Sequence, residues 1–299
     1  MSQWLVGLEG TQAGGLLAVA LALLAALTHA IFGALQKGRY SPWLIRGAMD
    51  FSYALMAAPF ALFIVPWPEP HMWLIFAGVM VIHIGYKLFQ AMAYARGAYT
   101  VVYPVVRGTG PLVAIIAAGF IFGERFSAVQ WLGVGLLLGA IFALAGFNLS
   151  RARVDRRVLW QALALAFITG LFVALYTVYD AYGIRATADP LTFLAWFFFI
   201  DGLIFPFISI RFYQLMAVKP AIAPLMLRGA IGGVIGMVSF GSIMLATRLD
   251  TVGQAAVLRE TSTVFAALIG WLFLRETVGV VRGVLMAIIA LGAVVVEFG

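Results

Sequence analysis

The sequence predicts an all-α membrane protein of ten transmembrane helices, built as two inverted five-helix repeats. Three observations carry this expectation. Of 299 residues, 64% are hydrophobic and only 10% are charged, and the mean hydropathy is +1.05, well outside the range of soluble domains. A hydrocarbon core about 30 Å thick takes roughly 20 apolar residues per helix, and the chain offers windows at 14–36, 42–65, 72–95, 98–122, 127–147, 158–184, 190–210, 224–247, 252–274 and 279–298. Slid along itself by 152 residues, the chain also matches its own second half.

The self-match lays VVRGTGPLVAIIAAGFIFGER at 105–125 over VLRETSTVFAALIGWLFLRET at 257–277. Arg107 meets Arg259 and Glu124 meets Glu276, two rare charges at one spacing, while Val105, Thr109 and Ala114 meet identical residues. Upstream, Met92 meets Met244 and Arg96 meets Arg248. The expected organisation is a first repeat at 1–149, a basic cytoplasmic linker at 150–157 and a second repeat at 158–299. Five spans is an odd number, so the halves insert with opposite orientation, as in secondary transporters that bind solute near the bilayer midplane.

Taken in order, the chain begins MSQWLVGLEGTQAGG, which lacks a basic n-region and carries Glu9, so the first span is expected to be retained rather than cleaved. That span reads LLAVALALLAALTHAIF, an unbroken apolar run of helix and not of alternating barrel strand. His29 and Gln36 within it are candidate cavity residues. In span 2, Arg46 and Asp50 stand four apart, the geometry of a structural intrahelical ion pair. The loop PWPEPH then places His71 in solvent.

Span 3 carries His83, Tyr86, Lys87 and Gln90 at i, i+3, i+4 and i+7, one helix face. Charge at the midplane costs about 3 kcal/mol, so such a stripe faces protein or water. It could bind a zwitterion, Lys87 meeting the carboxylate and the rings stacking, or it could serve helix packing. In span 4, Tyr103 and Arg107 again share a face, and Pro104 and Pro111 each remove a backbone donor, so kinks are expected there to free carbonyls. Arg107 reads as a bidentate carboxylate anchor, as half of a gate-closing salt bridge, or as a snorkelling side chain. Glu124 and Glu276 sit at helix ends beside Arg125 and Arg275, where ion pairs are expected.

In the second half, span 6 contributes Tyr176, Tyr179 and Asp180, and span 7 contributes Asp201. Spacing alone places neither aspartate. Span 9 carries Arg259 and Glu260 followed by Thr261, Ser262 and Thr263. Neighbouring helix positions diverge by about 100°, so Arg259 and Glu260 are not expected to pair. Glu260 is either a proton-coupling carboxylate or fixed by a basic residue on another span. Substrate contact is therefore assigned to His83, Tyr86, Lys87, Tyr103, Arg107, Tyr176 and Tyr179, and gating or coupling to Arg259, Glu260 and Asp180.

Several function classes are excluded or disfavoured. Cysteine is absent, which removes disulfides and thiolate metal sites. No HExxH, GxSxG or Walker A pattern occurs, so neither an enzyme nor a nucleotide-driven pump is expected, and no metal or cofactor. The net charge of +7 is scattered over short loops and does not form a nucleic-acid surface. Lys37, Arg39, Arg96, Arg151, Arg153, Arg156, Arg157, Arg211, Lys219 and Arg275 fall on one side, against Arg125, Arg185 and Arg248 on the other. That asymmetry predicts both termini outside a bacterial-type inner membrane. The expected partners are a small-molecule substrate and the lipid bilayer, for a monomer, with a dimer as the alternative. No ring of like charges marks a channel.

The run QAMAYARGAYTVVYPVVRGTGPLVAIIAAGFIFGERFSAVQWLGVGLLLGAIFALAG resembles the repeat unit of the drug/metabolite transporter superfamily, EamA type. A mid-helix proline (Pro111), a helix-end glutamate (Glu124) and a glycine-rich following span recur there in this order. The second copy departs from it, with Thr263 for the proline and Leu285 where Gly133 stood. The resemblance implies a ten-helix exporter in which spans 1 to 4 and 6 to 9 enclose a central cavity. IHIGYK followed by VVYPVV further resembles the aromatic amino acid exporters of the YddG group, which implies export of aromatic or other neutral amino acids. An efflux carrier for drugs or other metabolites is the alternative. Span 1 lacks the membrane carboxylate that small multidrug carriers use, which speaks against lipophilic cations.

Overall fold

A computed structural model of the chain describes residues 2–36, 40–96, 99–150, 156–274 and 279–299, without the side chains of 99–101, 103, 104, 156 and 270–274. Residues 151–155 of the expected linker at 150–157, and the Arg275 and Glu276 pair, therefore lie outside the described residues. The elements in chain order are α1 (Gln3–Val6), α2 (Gln12–Gln36), α3 (Pro42–Pro59), α4 (Met72–Arg96), α5 (Tyr99–Phe122), α6 (Ala128–Ser150), α7 (Arg156–Ala186), α8 (Pro190–Asp201), α9 (Phe205–Leu215), α10 (Ile222–Leu249), α11 (Val252–Arg259), α12 (Ser262–Leu274) and α13 (Val280–Phe298). Among the described residues no strand occurs, and nine stretches are long and apolar enough to cross a membrane. Phe120 is 87% and Leu74 80% exposed, an outer surface suited to lipid and not to water. The chain is a multi-pass membrane protein.

Three of the ten predicted windows are not uniform α-helix. Span 2 ends in a π turn at Phe60–Ile64, directly after Pro59. Span 7 breaks between α8 and α9 around Gly202. The cause lies in the sequence: Pro206 cannot donate to the Gly202 carbonyl, so the ladder stops and restarts. Span 9 breaks at Glu260 and Thr261, between α11 and α12. Here the Thr261 hydroxyl donates to the Leu258 carbonyl at 2.7 Å, a side-chain bond that competes with the helix. In span 4, α5 stays helical past Pro104 and Pro111, each of which withholds an amide from the carbonyl four residues before it. In the second copy the helix itself breaks, where no proline stands.

The residues gather into two compact units, one of 1–85 with 179–250, the other of 86–178 with 251–299. Each draws on both sequence repeats. In the first unit, α10 packs on α2 and α3, and α3 also meets α8 and α9. Small residues bring backbones together: a Cβ on Gly229 would lie 2.8 Å from the Ala48 carbonyl carbon, and one on Gly202 only 2.5 Å from the Asp50 carbonyl oxygen. The helix ends of α7 and α10 cap one another. Arg185 donates to the carbonyls of Thr247 and Asp250, while Arg248 donates to those of Ile184 and Thr187 and meets Glu9 at 2.6 Å. In the second unit, α6 packs on α13 through Gly133 and Gly292, and α5 packs on α6 and α11.

Candidate functional site

The buried charges form two sets, one within each unit. In the second unit the set is built at the α11–α12 break. Ending α11 at Arg259 leaves its last carbonyls without helical partners, and Arg107 of α5 answers them. Its Nη2 donates to the Arg259 carbonyl at 3.0 Å and to the Ser262 hydroxyl at 2.6 Å. Its Nε lies 2.8 Å from Glu260 Oε2. Both side chains are nearly inaccessible, 4% and 0% exposed. Of the two readings of Glu260, the structure has the fixed pair with a basic residue on another span. Arg107 is likewise seen as an internal salt bridge and helix cap, and its length is not spent on snorkelling.

At the other end of α11, Glu124 accepts from the Val252 amide at 2.7 Å and from the Gly253 amide at 2.9 Å. Glu124 thereby caps a helix N-terminus, a role its place at a helix end beside Arg125 did not disclose. An eight-residue helix thus carries a carboxylate at its positive pole and guanidinium at its negative pole, both favourable to the dipole. Both groups come from one stretch of the first repeat, and α11 lies antiparallel along α5.

Arg259 points to α7. Its Nη2 is 3.3 Å from the Tyr176 hydroxyl, and its guanidinium carbon lies 5.7 Å from the Tyr176 ring centroid. The side chain is buried at 2% exposure, yet among the described residues Nε has no hydrogen-bond partner. Tyr86 of α4 meets Tyr176 edge to face at 4.9 Å and takes a hydrogen bond from Gln90 at 2.6 Å, as expected of one helix face. Lys87 is also buried in this unit. Tyr103 was assigned to the same set, but its side chain lies outside the described residues.

The first unit holds the other set. His83 of α4 stands between two aspartates, with Nε2 3.0 Å from Asp180 of α7 and Nδ1 3.4 Å from Asp201 at the end of α8. Tyr53 of α3 donates to Asp201. Arg46 and Asp50 form the predicted intrahelical pair at 2.7 Å. A cavity with about 10 Å³ of free space, lined by Arg46, Tyr53, His83 and Asp201 among others, adjoins them. Spacing alone could not place Asp180 or Asp201. Tyr53 was missed, although it stands at i+7 from Arg46 and i+3 from Asp50, on their face. Tyr179, next to Asp180 in the chain, is half-buried, and a Cβ on Gly78 would come within 2.1 Å of its hydroxyl.

So the assigned residues divide. Tyr86, Arg107, Tyr176, Arg259 and Glu260 come together in the second unit, and His83 and Asp180 in the first. His83 has both ring nitrogens facing carboxylates.

Comparison with known proteins agrees with this architecture. The crystal structure of a protein shares the fold with a TM-score of 0.73 at 18% identity, over 96% of this chain and 98% of that one. An uncharacterized protein, y4nH of Sinorhizobium fredii (strain NBRC 101917 / NGR234), is 40% identical over 68 residues, 23% of this chain. The match spans 57% of that relative's length. Residues 16–146 and 160–298 each match one family, once in either half, and the chain belongs to the EamA-like transporter family.

Proposed function

We propose that the protein exports small organic solutes bearing a carboxylate, foremost amino acids with aromatic or other neutral side chains, across a bacterial-type inner membrane by alternating access. The observation that carries this reading is Arg259. It is a buried guanidinium next to Glu260, which already lies 2.8 Å from Arg107, and among the described residues its Nε has no hydrogen-bond partner. Among the described residues no carboxylate forms an ion pair with Arg259, and a substrate carboxylate is a ligand suited to a buried guanidinium. The Tyr86 and Tyr176 pair beside Arg259 supplies an aromatic surface for a flat or apolar side chain.

Purified protein in liposomes preloaded with unlabelled phenylalanine is expected to take up labelled phenylalanine and leucine by counterflow, each competing with the other. Phenethylamine, which lacks the carboxylate, is expected not to compete. Arg259→Gln should raise the half-saturating concentration at least tenfold with the unfolding temperature little changed. Flux of a hydrophobic cation without amino acid counterflow would sink this reading in favour of the drug-efflux alternative. Cells carrying the protein should also release amino acids faster than cells without it when loaded with a dipeptide, which tests direction.

A further inference from the structure

The structure assigns to the first unit a site for one anionic phospholipid, with an acyl chain in an apolar groove between α3, α9 and α10 and the headgroup at Arg211 and Lys219. The site shares no residue with either set of buried charges.

The groove forms where three helix ends meet. α3 has just begun, α9 is closing, and α10 starts after the loop at 216–221, so the groove lies at one end of the unit. Close packing sets its floor: a Cβ on Gly47 would fall 2.1 Å from the Ser209 Cβ, so α9 rests directly on α3 there. Beyond that contact about 540 Å³ of space remains, within the range that holds an organic ligand. Its walls are mainly apolar, with Leu44, Phe51, Ile210, Ile222 and Leu225 among them. A polar solute finds few hydrogen-bonding partners on such walls, whereas a hydrocarbon chain needs none. Phe51, Ile210 and Ile222 are 47%, 53% and 58% exposed, so the groove opens on the apolar outer surface that the bilayer covers.

Charge selects the headgroup. Lys219 Nζ lies 5.9 Å from the ring centroid of Tyr213, which lines the groove, so an exposed ammonium is held beside it. The loop is pinned in that place, because the Tyr213 hydroxyl donates to the Pro220 carbonyl at 3.2 Å. Arg211 is also exposed, and it stands next to Ile210 and one turn before Gln214, both lining residues. Neither 10–49 nor 202–249 contains an aspartate or a glutamate. Asp50, next to Phe51, is fully buried and held by Arg46 at 2.7 Å. α10 also begins there, with no side-chain cap, so its positive pole adds to the two cations.

Cations beside an apolar groove at the end of membrane helices match an amphiphile whose phosphate meets the cations while its chain fills the groove. A zwitterionic lipid offers the same chain but brings a cation of its own. α9 is a half-helix of 11 residues that restarts after the Gly202 break. A chain seated in the groove adds apolar contact to α3, α9 and α10 together, so occupancy stabilises the folded unit by linkage.

The test titrates the purified full chain in mild detergent with phosphatidylglycerol or phosphatidylcholine of identical chains, reading bound lipid by native mass spectrometry alongside the unfolding temperature. One phosphatidylglycerol should bind at least about fivefold tighter than phosphatidylcholine and raise the unfolding temperature. The double variant Arg211→Gln, Lys219→Gln should lose that preference. Ile222→Trp, which fills the groove from its rim, should weaken both lipids severalfold. Arg125→Gln, which removes an exposed cation of the other unit, should leave the preference intact. Equal affinity for the two lipids in wild type, or an equal loss in Arg125→Gln, overturns the site. So does the same thermal shift from inorganic phosphate alone, which would make it an anion site without a chain. A dimer that Ile222→Trp dissociates would give the groove to a second copy of the chain, and overturns the lipid site as well. Should Ile222→Trp fail to fold, Ile210→Trp at another exposed rim position takes its place, and the same weakening is required of it.

Discussion

Arg107 and Arg259, equivalent residues of the two repeats, touch: the guanidinium of the first donates to the backbone carbonyl of the second at 3.0 Å. The contact follows from an asymmetry between the copies. The first copy keeps its helix intact through two prolines, while the second breaks immediately after its arginine. The intact copy therefore supplies a side chain and the broken copy supplies the carbonyl that needs it. Glu124, seventeen residues beyond Arg107, reaches the opposite end of the same short helix.

The pairing of Arg107 with Glu260 makes a sharp mutational statement. Removing one member of a buried pair strands the other charge, at a cost of about 3–5 kcal/mol, whereas replacing both by apolar residues is far milder. Arg107→Met and Glu260→Met should each lower the unfolding temperature in detergent markedly, and the double variant should regain most of the loss. A coupling energy of at least about 2 kcal/mol is expected from the cycle. Strictly additive losses would mean that the two side chains do not act together.

Glu124 makes a second. With two amides held by one carboxylate, Glu124→Ala should destabilise by about 1–2 kcal/mol, the range of a lost helix cap. Glu124→Gln, which keeps one acceptor oxygen, should lose less. Hydrogen exchange at the Val252 and Gly253 amides reads the effect locally, and unchanged protection in Glu124→Ala would remove Glu124 from the cap.

Much of this was legible in the sequence, and the remainder was not for identifiable reasons. Charge is so rare in apolar windows that Arg107, Arg259 and Glu260 announced themselves, and the 152-residue match disclosed the repeats. Who pairs with whom was hidden, because Arg107 and Glu260 are joined by tertiary packing that no local spacing encodes. The break in span 9 was hidden too, since hydropathy reads TSTVF as a weak part of a good helix. Span 7 was more readable: Asp201, Gly202 and Pro206 stood in the sequence as an interruption. Tyr53 could have been found on the face already marked by Arg46 and Asp50. The division of the packing into units that cross the repeats has no counterpart in sequence periodicity.

The orientation expected from the lysine and arginine asymmetry can be tested cleanly, because the chain has no cysteine. Gln3 and Lys219 are both exposed. A membrane-impermeant maleimide should label Gln3→Cys in intact cells and Lys219→Cys only after permeabilisation. The reverse pattern would place the termini inside.

Acid should loosen the contact between the loops before α4 and α8 through Glu69. Its carboxylate is partly buried, which raises its pKa, but the Ala188 amide at 3.0 Å and the Thr187 hydroxyl at 3.3 Å outweigh that and hold it below the ordinary 4.5. A depressed carboxylate adds stability that is fully present above its unfolded value and is lost as pH falls through the folded one. The contribution should therefore persist at neutral pH and fade below about 4.5. Asp189 follows the same sign, because burial is again outweighed, here by the Ser2 hydroxyl and the Leu191 and Thr192 amides. Comparing wild type with Glu69→Gln isolates the first group, since the variant cannot titrate at that position. The gap in unfolding temperature between the two should be present at pH 7 and close progressively below pH 4.5, while a gap independent of pH would show that Glu69 acts through shape and not through charge.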